Sequence, residues 1–138
     1  DKLVRLATHK VSLAGDEAGL RRKILALYQA SGLQPPFFRE VVETLKADPG
    51  QAKDVLLLLI EEGRIVRTKD DLYFDAAAIQ ELRGRLVKFL EQNGEITPAQ
   101  FKEMTGGASR KFLIPLFEYF DAKNVTLRVV DVRKLRNG

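Results

Sequence analysis

The chain has no cysteine, no tryptophan, one methionine and one histidine, His9. Lacking cysteine, it has no disulfide, no cysteine-ligated zinc or iron–sulfur centre and no thiol nucleophile, and it suits a reducing cytoplasm. With a single histidine, the usual general base has one possible location, and His9 reads most simply as a residue on a strand face. No apolar run reaches membrane-spanning length; "VLLLLI" at Val55–Ile60 is far too short. There is no signal-peptide pattern, and the chain opens on Asp1, which points to a piece of a longer protein. A Gly-rich loop followed by Lys-Ser/Thr, a metal-ligand cluster and a nucleophile with a partnering base are all missing. The carboxylates Glu40, Glu43, Glu61, Glu62, Glu81 and Glu91 read as helix-surface groups. The expectation is therefore a non-enzymatic chain with no cofactor and no metal site.

What is present is an ordinary globular composition, 45% hydrophobic and 30% charged over 138 residues, enough for one medium domain or two small ones. The formal charge of +4 is unevenly placed. Asp1–Asp75 holds 12 basic and 12 acidic residues, whereas Ala76–Gly138 holds 11 basic and 7 acidic. Thr105–Gly138 alone has 7 basic against 3 acidic, so the whole excess sits in the last quarter of the chain. An anionic partner for that end is plausible on charge alone.

The order of patterns repeats after about sixty residues, a domain-sized spacing. "HKVSL" at His9–Leu13 alternates like a strand left over from a preceding unit. Asp16 then caps a helical pattern to about Ala30, with Leu20, Ile24, Leu27 and Tyr28 at helical spacing. A Pro-marked short helix follows, then a Leu-rich helix over Ala52–Glu62, and "RIVRTKDDLYF" reads as a β-hairpin. The second copy has a helix over Ala76–Gln92, a Pro-marked helix, a helix over Phe112–Lys123 and an alternating hairpin over Val125–Leu135. Leu33, Pro35, Phe38, Arg39 and Glu40 match Ile96, Pro98, Phe101, Lys102 and Glu103.

Three helices and a hairpin make the winged-helix plan, a helix-turn-helix variant. The predicted class is mostly α with small β-hairpins (α+β). The predicted organisation is a remnant strand or linker at 1–13, a positioning winged helix at 14–75 and a binding winged helix at 76–138. In each copy the Gly-Leu or Glu-Ile before the proline would supply the small first strand. The two copies are expected to pack together, since neither can bury much surface alone.

Charge distinguishes the copies where a helix-turn-helix meets nucleic acid, at the start of its third helix and in its wing. The second copy reads "GGASRK", in which Ser109 can cap the helix, its free N–H groups attract phosphate, and Arg110 and Lys111 add charge. Arg128 and Arg133 lie in the wing, with Lys134 and Arg136 beyond. The first copy reads "ADPGQAKD" at the same place, with Asp48 and Asp54 around a lone Lys53. The basic tip is therefore no requirement of the fold. Pro115 lacks a donor and crowds the carbonyl of Lys111, predicting an irregular first turn or a helix that starts close to Lys111.

"LRRKILALYQASGLQPPFFREV", "GEITPAQFKE" and above all "SRK…PL.EYFD…VT.RV.D.R" at Ser109–Arg133 resemble the C-terminal end of bacterial selenocysteine-specific elongation factors, the SelB family. The resemblance covers nearly the whole chain. It implies the third and fourth winged helices of a string of four, with GTPase and tRNA sites in N-terminal domains absent here. It further implies that the last unit grips a selenoprotein mRNA hairpin, the selenocysteine insertion element, beside an in-frame UGA. Ser109, Arg110, Lys111, Arg128 and Arg133 would make the RNA contacts, in a cytoplasmic monomer that meets the ribosome indirectly and no membrane. The wing departs from the family's usual "RRVGDKR": Leu127 and Val132 stand at basic positions and Val130 at the turn glycine, which predicts a different turn type. Two rival readings are a winged-helix regulator of double-stranded DNA and a protein-interaction scaffold using the neutral first copy.

Overall fold

The computed structural model describes residues 4–69 and 71–136, with side chains from Glu17 onward. It contains α1 (Val4–Ser31), α2 (Phe38–Leu45), α3 (Pro49–Glu61), β1 (Ile65–Arg67) and β2 (Tyr73–Asp75), then α4 (Ala76–Asn93), α5 (Pro98–Met104), α6 (Arg110–Ala122), β3 (Thr126–Val129) and β4 (Val132–Leu135). Each half is three helices followed by an antiparallel hairpin, so the α+β tandem winged-helix class holds.

Local chemistry sets most boundaries. Asp48 accepts a hydrogen bond from the Gln51 N–H at 2.9 Å, and Pro49 follows at the first helical position, where its missing donor costs nothing. Asp75 accepts from the Ala78 N–H at 3.2 Å, ending β2 and starting α4 in one residue. Thr97 and Gln100 form a reciprocal capping box at the head of α5. Arg21 on α1 pairs with Glu62 just past α3, and that hydrogen bond holds the Glu62 carboxyl below the usual carboxylate range.

Three expectations fail. His9–Leu13 is no strand but lies inside α1, and Asp16 is an interior residue of that helix rather than its cap. Five alternating residues cannot separate a strand from a helix face, and the segment has no proline to stop a helix propagating backward from Leu20. The side chain of His9 lies outside the described ones. Nor does Leu33 form a first strand. In the second half Ile96 does bridge Arg133 of β4, with hydrogen bonds in both directions at 2.9 and 3.0 Å. In the first half Pro35-Pro36 removes two adjacent donors, and Leu33 packs against the other half's core instead.

The described residues form two cores. Leu20, Ile24, Tyr28, Phe38, Val41, Val55, Leu56, Leu59, Ile65 and Tyr73 form the first. Ile79, Leu82, Leu86, Leu90, Ile96, Phe101, Phe112, Leu113, Leu116, Phe117 and Phe120 form most of the second. The chain around β2 divides its residues between them by twofold alternation: Tyr73 faces the first core, while Phe74, and Leu72 just before the strand, face the second. The first wing is thus a shared wall. In "VLLLLI", Val55, Leu56 and Leu59 are buried while Leu57 and Leu58 face solvent.

Candidate nucleic-acid interface

The loop before α6 is built to a tight specification. The Thr105 hydroxyl donates to the Lys102 carbonyl and accepts from the Ala108 N–H. Gly106 and Gly107 both have positive φ, 82° and 93°, a conformation that side-chain-bearing residues rarely adopt. Ala108 is fully buried and pins the end of the loop into the core. Helix α6 then starts at Arg110.

Ser109 occupies the cap position, but its hydroxyl makes no capping hydrogen bond, contrary to the expectation. Its carbonyl accepts from the N–H groups of Phe112 and Leu113, while those of Arg110 and Lys111 are bonded to nothing among the described residues. Pro115 lies inside the helix and is buried, and the helix starts next to Lys111, as the second of the two expected alternatives has it. The proline removes the donor that would have reached the Lys111 carbonyl.

One face of α6 is core, with Phe117 stacked on Phe101 at 4.2 Å between ring centroids. The face opposite the second wing opens on a cavity of about 390 Å³ lined by Pro98, Leu113, Ile114, Phe117 and the charged Arg110, Glu118, Arg128, Asp131 and Arg133. Arg110, Arg128 and Arg133 therefore come together, from the helix start and from facing positions on β3 and β4.

Their states differ. Arg110 and Arg128 are exposed, and neither has a carboxylate within salt-bridge distance among the described residues. Arg128 is steadied only by its own turn, its Nε donating to the Val130 carbonyl at 3.1 Å. Arg133 lies over the Phe117 ring, 4.3 Å from its centroid, with Nη2 3.1 Å from Asp121 Oδ2. Its charge is spent inside the fold, so it forms a wall of the cavity rather than a free cation.

Lys111 turns the other way. Its Nζ sits 4.2 Å from the centroid of Phe37, a residue of the first winged helix, and 5.1 Å from that of Phe112. Arg39 lies over the same Phe37 ring at 4.5 Å. Sequence reading missed Phe37 and Arg39. The available signal was Phe37 itself, an aromatic where the second copy has the polar Gln100.

The wing turn also departs from expectation. Val130 has φ 57°, so the valine adopts the left-handed conformation the glycine would have supplied, and the two-residue turn between paired Val129 and Val132 is kept. The strand pairing and the Arg128 side-chain bond hold it there.

Two winged-helix units in tandem, with unpaired cations gathered at one recognition helix and its wing, define a tandem winged-helix protein. The chain is similar to proteins of the SelB family. Residues 88–135 match the family described as elongation factor SelB, winged helix. A selenocysteine-specific elongation factor of Desulfomicrobium baculatum is 35% identical over 134 residues, 97% of this chain, which spans 21% of that relative's length. The fold resembles the structure of the mRNA-binding domain of elongation factor SelB from E. coli in complex with SECIS RNA. That match has a TM-score of 0.67 and 24% identity over 81% of this chain and 95% of that one. That likeness is one of fold, and the chain's own fold is a tandem winged helix. No helix among the described residues is long and apolar enough to cross a membrane.

Proposed function

We propose that this chain is the mRNA-binding module of a selenocysteine-specific elongation factor. It would hold a hairpin of a selenoprotein mRNA, the selenocysteine insertion element beside an in-frame UGA, through the second winged helix. The observation that carries this is the pair Arg110 and Arg128, cations without a salt-bridge partner among the described residues that face one cavity between the recognition helix and its wing. The resemblance to an mRNA-binding domain supports it. The first winged helix, whose third helix begins on the acidic cap Asp48, would position the second. The reading is of a cytoplasmic monomer that meets the ribosome indirectly and needs no cofactor in this region.

An RNA hairpin offers closely spaced phosphates and bases that can leave the stack, whereas its deep major groove resists side chains. Arg110 and Arg128 would neutralise phosphates, which makes affinity fall with salt. The free N–H groups of Arg110 and Lys111 and the uncommitted Ser109 hydroxyl would add directional donors. A base extruded from the loop or a bulge would enter the cavity against Leu113 and Ile114, where a guanidinium can stack on it or bond to its edge.

The test is a titration of a selenoprotein mRNA hairpin at fixed salt. Arg110→Ala should weaken binding by more than about 1 kcal/mol, the size of one lost specific contact. Unchanged affinity would reject the reading. Competition by duplex DNA of equal charge separates it from a DNA-binding regulator, and binding that survives charge reversal at Arg110 and Lys111 would favour a protein partner.

A further inference from the structure

We propose that the RNA-binding surface does not stop at the second winged helix but continues onto the first. Phe37 acts as the platform that positions Lys111, and Arg39 is a further RNA-contacting cation. This rests on the hairpin reading above.

The geometry points there because like charges have been brought together with no carboxylate paired to either among the described residues. Lys111 Nζ and Arg39 Cζ both lie within 4.5 Å of the centroid of one ring, so the two charges sit inside about one Debye length of each other. Both side chains are exposed, and among the described residues neither has a carboxylate within salt-bridge distance. The carboxylate nearest in sequence, Glu40, is occupied in accepting from the Phe37 N–H at 2.8 Å.

A few residues away the same inter-unit boundary is handled differently. Lys69 of the first wing meets Glu118 of α6 at 3.3 Å. If Phe37, Arg39 and Lys111 served only to pack the units, an acid there would serve better than a second cation. An aromatic face attracts each cation without neutralising it, so both stay available to an anion.

Phe37 is well placed for this role. It is half-buried and packs against the second unit's core although it belongs to the first, which fixes the ring relative to α6. Arg110 and Lys111, adjacent on α6, therefore aim at two different sides of the tip: Arg110 toward the wing cavity, Lys111 toward the first unit. The cations run Arg128, Arg110, Lys111, Arg39 in an arc across the helix start. A ribose-phosphate strand leaving the cavity along that arc passes from the second winged helix to the first.

Hairpin titrations over a salt series test this with the whole chain. Arg39→Gln should leave the melting temperature unchanged, weaken binding about three- to tenfold, and reduce the slope of log affinity against log salt by about 0.7–0.9, one phosphate's share. Phe37→Leu keeps the apolar bulk but removes the aromatic face. It should weaken binding similarly and blunt the further effect of Lys111→Gln, and Phe37→Trp should restore both affinity and slope. A merely structural Phe37 would change stability without changing the slope. Wild-type affinity and slope for Arg39→Gln, while Arg110→Ala still weakens binding, would overturn the extension and leave the hairpin reading standing. If Arg110→Ala is silent too, the hairpin reading itself fails, and this inference with it.

Discussion

Arg133 and Asp121 lock the second wing to the recognition helix. The Arg133 Nε lies 3.2 Å from both carboxylate oxygens of Asp121, and the same carboxylate accepts from the Thr126 hydroxyl. The Arg133 side chain is only 11% exposed and lies on Phe117, so this is a largely buried ion pair bridging β4, β3 and α6.

Removing one partner of such a pair leaves the other buried without compensation. Arg133→Ala should therefore destabilise the protein by about 2–3 kcal/mol in urea unfolding, toward the lower end for buried pairs because Asp121 remains partly exposed. Arg128→Ala should cost under about 0.5 kcal/mol, as exposed substitutions do, and should lower the salt slope of hairpin binding by about one phosphate's share. Interchanged outcomes would show that the wing's two arginines have been assigned the wrong roles.

Val130 is 79% exposed and held at φ 57°, where a β-branched side chain is strained and makes no burial in return. Val130→Gly should stabilise by about 0.5–1 kcal/mol, the relief of left-handed strain less the added freedom of glycine in the unfolded chain. In a chain of this size that is a rise of about 2 °C in melting temperature. A fall would mean that the turn is not strained in solution.

How far the sequence could be read depended on whether neighbours or partners decide the outcome. Phe38 and Phe101, Leu20 and Ile24, Leu82 and Leu86 carry helical periodicity, which is local, and they lie where that periodicity puts them. The basic tip was legible because the first copy, with Asp48, shows what the fold needs without it. What could not be read was which cation keeps its charge free. Arg128 and Arg133 look alike in a hairpin, yet only the tertiary position of Asp121 separates a free cation from a neutralised one. Phe37 escaped for the same reason: its meaning lies in Lys111, far along the chain. The strand at His9–Leu13 was misread because a short alternation fits a helix face equally well.

The remaining prediction concerns the wall between the units. Phe74 belongs to the first wing by sequence, pairs with Val66 in its hairpin, and is fully buried in the second unit's core alongside Leu72. Its neighbour Tyr73 points into the first core and meets Phe38 edge-on at 5.9 Å. A three-residue strand cannot lose its place in one core without disturbing the other. Phe74→Ala should cost about 3–5 kcal/mol, as for other large buried aromatics. The loss should appear in both halves, with hydrogen-exchange protection falling together in α3 and α6 and urea unfolding staying a single transition. Protection lost in α4–α6 alone, or two separate transitions, would show that the wall is not shared and that each winged helix stands on its own core.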